Sequence, residues 1–217
     1  MKHLQTKRYA LTLFVVFAAV YIGMAFITGT SVKDIWVALK LAYKTIPVLL
    51  LVVALFVSYG WRWKIFKGWL VPFPNLNGTW QGHIQTTWKN PETAEVPGPI
   101  SAILTIRQSF TRMSCVMRTA EMVSHSYLAD FWLDREEQVR RIGYSFLSKT
   151  AASVQKRSPL HEGSALLEVI GDPVERLSGQ YWNARNQTGD IVMTFREKKM
   201  LEVFPTDLGP HPVSGNP

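Results

Sequence analysis

The sequence predicts two membrane-spanning helices followed by an all-β domain, an up-and-down antiparallel β-barrel of about eight strands. Three observations carry this. Two long apolar runs lie within the first 60 residues, period-two alternation begins at Gly78, and the whole excess of positive charge sits beside the apolar runs.

Tyr9 to Thr28 contains no charged residue, and twenty helical residues rising about 1.5 Å each cover the roughly 30 Å of a hydrocarbon core. The second run, Ile46 to Tyr59, is free of charge for only fourteen residues and needs extension. A second span over 41–60 is expected, with Pro47 marking a kink or a helix start. Lys40 and Lys44 lie four apart on one face. They snorkel to the outer headgroups, belong to an interfacial helix over residues 32–44, or present a polar face to another copy. Residues 1–67 thus form a hairpin, and 68–77 form a stiff Pro-containing linker.

The net charge of +8 invites a nucleic-acid reading. Its distribution argues against one. Residues 1–74 hold nine Lys/Arg against Asp34 alone, whereas residues 75–217 hold fifteen of each sign. No DNA or RNA partner is therefore expected. Lys2, Lys7 and Arg8 precede the first span, and Arg62, Lys64 and Lys67 follow the second, so both flanks are expected in the cytoplasm. This describes a multi-pass membrane protein with cytoplasmic N- and C-termini. The first run is long for a cleaved signal peptide and is closely followed by another apolar segment. Cys115, the single cysteine, has no internal disulfide partner, in keeping with a reducing compartment.

From Gly78 the residues alternate. Trp80, Gly82, Ile84, Thr86 and Trp88 share one face of a first strand; Ile100, Ala102, Leu104 and Ile106 share one of a second; Met113, Cys115 and Met117 share one of a third. Ser124–Leu133 and Val139–Leu147 read as a hairpin turning through Asp134–Glu137. Gly163–Ile170, Arg176–Arg185 and Asp190–Arg196 complete the set, the last two joined by Asn186–Gly189. Closure of eight such strands removes exposed edges and leaves an interior for side chains or one small ligand. A β-sandwich is the competing architecture. The barrel is expected over 78–200, and the Pro/Gly-rich tail, 201–217, is expected to be disordered.

No catalytic constellation is legible: there is no phosphate loop, no metal-ligand spacing of Cys or His, and no nucleophile elbow, so neither an enzyme nor a metal site is expected. The segment Leu177–Arg185 stands out. Leu177, Gly179, Tyr181, Asn183 and Arg185 share a strand face that runs from apolar through aromatic to cationic. It is either a barrel interior ending in a polar rim or a ligand surface with a ring for stacking, an amide for base edges and a guanidinium for phosphate. Thr119, Ser124 and Ser126 bracket a turn, bonding its backbone or lining the same rim. Arg107 and Arg118 are further candidate phosphate cations, unless they are simply solvated. Asn77–Gly–Thr–Trp80–Gln–Gly82 resembles the first-strand signature of lipocalin-like barrels, in which the Trp plugs the barrel floor.

Taken in order, the two spans, Asn77–Gly82, Thr119…Ser124–x–Ser126, His161–Glu–Gly163 and Gly179–x–Tyr–Trp–Asn–x–Arg185…Thr188–Gly189 resemble the two-transmembrane, β-strand-rich effectors encoded beside bacterial CD-NTase (SMODS) nucleotidyltransferases in CBASS antiphage operons. The likeness covers most of residues 9–200, and Asn183 stands where the family's aromatic motif is expected to carry threonine. The resemblance implies a barrel that senses a cyclic dinucleotide as its activating ligand, with no further cofactor. It also implies a homo-oligomer on activation, and a hairpin that then disrupts the lipid bilayer, here a bacterial inner membrane, and causes abortive infection. Two alternatives remain: a membrane-tethered carrier whose cavity, lined by groups such as Trp88, Met113 and Met117, holds an apolar ligand, and a scaffold barrel that binds a protein.

Overall fold

A computed structural model describes residues 6–31, 33–90, 93–134 and 139–213. The chain divides at Phe73–Pro74 into a helical unit and a β unit.

In the helical unit, α1 (Thr6–Thr28) and α2 (Ile35–Ser58) are each long and apolar enough to cross a membrane. α2 starts six residues earlier than the expected 41, and the cause is local. The Asp34 carboxylate accepts hydrogen bonds from the Trp36 and Val37 amides at 2.7 and 3.2 Å, satisfying donors that a helix start leaves open. Lys40 and Lys44 are consequently exposed residues of one continuous helix that also contains Pro47, rather than of a separate interfacial element. Thr45 is fully buried; its hydroxyl donates to the Leu41 carbonyl at 2.9 Å and lies 3.7 Å from Met24 Sδ on α1.

The β unit is a closed barrel of eight strands: β1 (Gly78–Thr86), β2 (Ile100–Gln108), β3 (Met113–Arg118), β4 (Met122–Asp134), β5 (Val139–Thr150), β6 (His161–Ile170), β7 (Arg176–Asn183) and β8 (Thr188–Glu197). Each strand pairs antiparallel with its sequence neighbours, and β1 pairs with β8 to close the ring. The inner apolar row is the one that alternation selects. Leu104, Ile106, Ile142, Leu167, Leu177 and Met193 have no exposed surface, and burying each stabilises the fold by about 1.5–3 kcal/mol. Gly179 is dictated by packing: a Cβ there would lie 2.0 Å from the Leu166 carbonyl oxygen on β6. A register shift between Ser126 and Leu128 puts a bulge at Tyr127, and Tyr127 and Leu128 both point to solvent. Most of the expected turn at Asp134–Glu137 lies outside the described residues.

One barrel end is plugged. Trp80 pairs with Leu104 on β2 and Phe195 on β8, meets the Phe195 ring edge-on at 5.3 Å, and donates its indole N–H to the Leu76 carbonyl at 3.0 Å. Gln108 fixes the incoming chain by donating to the Pro74 carbonyl (3.0 Å) and accepting from the Leu76 amide (2.8 Å).

The C-terminal segment departs from expectation. Up to Val213 it is placed against the barrel wall rather than disordered. Thr79 donates to the Lys199 carbonyl at 2.6 Å and accepts from the Leu201 amide at 3.0 Å; Thr105 donates to the Leu201 carbonyl at 3.0 Å. These outward threonines are therefore buried, and Arg196 adds an ion pair to Asp207 at 3.0 Å. Residues 214–217 lie outside the described residues.

Candidate functional site

Opposite the Trp80 plug the barrel interior changes chemistry. Ile84, Met117, Tyr144, Phe146 and Ile191 form an apolar and aromatic floor. Above it, Thr86, Ser124, Ser148 and Thr150 are buried polar residues on the same inward rows. The rim is charged: Arg157, Arg185 and Glu121 line it, with His161 and His211. Including its open mouth and the solvent in it, the pocket holds about 950 Å³ of empty space.

The β7–β8 hairpin supplies one side. Tyr181 points inward and donates its hydroxyl to Thr86 at 3.0 Å. Burial pushes its pKa up, with the Thr86 bond and the Arg185 charge pulling the other way. Gly189 makes room for this ring, since a Cβ there would sit 2.6 Å from Tyr181 Cε1 and 2.3 Å from the Gln85 carbonyl. Asn183 builds the turn; its Oδ1 accepts from the Arg185 and Gln187 amides at 3.0 and 3.1 Å. That turn aims Arg185 at the β5–β6 loop, where it donates to Ser158 Oγ and to the Arg157 carbonyl, each at 3.0 Å. Arg157 in turn pairs with Glu121 in the β3–β4 turn.

Of the residues singled out in the sequence, the structure gathers Tyr181, Asn183, Arg185, Thr119 and Ser124 on this pocket. Thr119 is mainly a turn residue, accepting from the Glu121 and Met122 amides at 3.3 and 3.2 Å. Ser124 shares a hydrogen bond with Ser148 across β4–β5. Ser126 does not join them; its hydroxyl accepts from the Cys115 amide at 2.8 Å, beside the bulge. Arg107 and Arg118 lie on the outer wall. They follow Ile106 and Met117, which point inward, so alternation turns both guanidinium groups outward. Arg107 pairs with Glu202 at 3.1 Å, and Arg118 reaches the Leu201 carbonyl at 3.4 Å. Burial lowers the Arg118 pKa, as does Arg107, while Glu202 raises it.

Sequence reasoning missed six contributors, Phe146 and Gln187 among them. Tyr144 is 4 % exposed and lines the floor. Its phenol pKa is raised by burial, with Cys115 adding to the effect. Its place on the inward row of β5 was the available signal. Glu121, Arg157 and His211 sit in turns and in the tail, where no periodicity reports direction.

A site of this build offers rings for flat heterocycles, hydroxyls and amides for base edges, and two guanidinium groups for phosphate. No curated protein matches the chain. The family described as "Cap15, cyclic dinucleotide receptor domain" matches residues 71–195, the last turns of the linker and nearly all of the barrel. Most of the pocket lies within that match, and the chain belongs to the Cap15 cyclic dinucleotide receptor family of CBASS effectors.

Proposed function

We infer that the chain is a membrane-anchored effector whose barrel binds a cyclic dinucleotide at this mouth, then self-associates and breaches the bacterial inner membrane through its two helices. In this reading Tyr181, Tyr144 and Phe146 supply ring surface, Asn183 and Gln187 supply amides at the rim, and Arg185 and Arg157 meet the two phosphodiesters. The observation that carries it is the pairing of an aromatic floor with a cationic rim at the open end of a barrel otherwise filled by side chains. Both chain ends lie in the cytoplasm, as the basic flanks of the helices favour.

Binding across copies, or to an assembly-competent form, shifts association by its differential affinity. Two helices per copy make no conduit, whereas many helices brought together by their barrels can. The apolar-carrier alternative has Trp88 and Met117 in its favour, since both line the pocket. Arg157 and Arg185 weigh toward the nucleotide, because two guanidinium groups at one rim suit a ligand with two anionic groups better than an apolar one.

The test is thermal melting of the chain against a panel of cyclic di- and trinucleotides. A member present at about 100 times its dissociation constant adds about 2.7 kcal/mol and raises the midpoint by several degrees. No shift with any member, alongside a shift with fatty acids, would support the carrier instead.

A further inference from the structure

We propose that the C-terminal tail is a wall of the nucleotide pocket and that His211 is its contribution to ligand binding. The family match ends at residue 195, within β8, so nothing in it covers this segment. The inference rests on the pocket being the nucleotide site.

The tail is delivered to the mouth by fixed contacts. Thr79 and Thr105 hold Lys199 and Leu201 against the outer wall, and Asp207 is held by both carboxylate oxygens on Arg196 at 3.2 and 3.0 Å. Four residues later His211 and then Val213 line the pocket, the Val213 amide donating to His211 Nδ1 at 3.3 Å. The His211 side chain is only 12 % exposed, with Nδ1 3.5 Å from the Glu121 carboxylate that also receives Arg157. Tail, β3–β4 turn and β5–β6 loop therefore meet at one carboxylate.

The charges explain why the site needs the tail. Glu121 is an acid on the rim of a pocket that must accept two phosphodiesters, and uncompensated it would repel them. Arg157 and His211 flank it, while Arg185 bonds the backbone of the same loop. Burial lowers the His211 pKa, Arg157 lowers it further, and Glu121 opposes both. Tyr144, Tyr181 and His161 complete the titratable groups that line the pocket. An arriving dianion adds negative charge beside His211 and favours its imidazolium. Binding is then coupled to proton uptake and tightens as pH falls toward 6, because the complex holds a proton that the free protein lacks.

The experiment titrates the full chain, in detergent micelles, with a panel of 3′,3′-cyclic dinucleotides covering the four bases. The tightest binder is then followed calorimetrically at pH 6 and pH 8, in buffers of different ionisation enthalpy. For the wild type we expect affinity several-fold higher at pH 6 and a fractional proton taken up. His211→Ala should weaken binding about tenfold at pH 6 and abolish the proton uptake, and His211→Gln should bind without pH dependence. Wild-type affinity and wild-type proton uptake in His211→Ala would overturn the proposal, as would tighter binding on removal of residues 208–217, which would make the tail a blocker. Arg185→Ala, measured alongside, separates the two readings. If that variant also binds normally, the pocket assignment itself has failed; if it binds weakly while His211→Ala is normal, only the role of the tail is lost.

Discussion

Replacing Arg185 by alanine should weaken cyclic dinucleotide binding by about 100-fold while leaving the barrel folded. A charge-assisted hydrogen bond to a phosphate contributes about 1.5–3 kcal/mol, and removing one partner of a largely desolvated charge pair costs about 2–5 kcal/mol. Arg185 is already positioned for this role: the Asn183 turn orients it, and its two terminal nitrogens are held at 3.0 Å by Ser158 and the Arg157 carbonyl. Little reorganisation is therefore needed to receive a phosphodiester. Arg185→Lys keeps the charge but not the planar fork and should fall between the two. The check is calorimetric affinity together with melting temperature. Normal affinity in Arg185→Ala would remove the residue from the site, and a collapse of the melting temperature would show a structural role instead.

The largest effect on stability is expected at the other end of the barrel. Trp80→Ala deletes a side chain that is 2 % exposed, its edge-on contact with Phe195 and its bond to the Leu76 carbonyl. Truncations of this kind cost about 3–5 kcal/mol, a large part of the 5–15 kcal/mol that holds a typical domain together. For a domain of this size the melting temperature should drop by roughly 10–15 °C. A change of only a degree or two would mean that Leu76 and its neighbours close the floor without the indole. Because the plug and the mouth lie at opposite ends, Trp80→Phe, which keeps a ring, should lower stability with little loss of affinity.

Much of this architecture is legible in the residues. The strands follow from rows such as Trp80–Ile84–Thr86 and Leu177–Gly179–Tyr181, because a period of two fixes which side chains face in. The same rule could have dismissed Arg107 and Arg118, whose inward neighbours Ile106 and Met117 turn them outward. The early start of α2 was also within reach, since Asp34 before an apolar run is a capping signal.

Other features were out of reach for physical reasons. The tail reads as disordered from its Pro and Gly content, and what holds it are outward Thr79 and Thr105, hydroxyls that in isolation look solvated. Glu121, Arg157 and His211 belong to turns and the tail, and only the closed barrel brings residues so far apart in the chain to one rim. Ser126 is missing from the pocket lining because its hydroxyl is taken up by the Cys115 amide, and no residue type announces that bond or the bulge beside it.

The central claim is that nucleotide binding at the barrel mouth makes the two helices breach a membrane. The most direct test is release of a trapped dye from liposomes of bacterial lipid that carry the full chain, with and without the cyclic dinucleotide that binds it. The account predicts rapid release only with the nucleotide present, and none from Arg185→Ala liposomes at the same concentration. Intact liposomes despite demonstrated binding, or leakage that is the same without nucleotide, would contradict it.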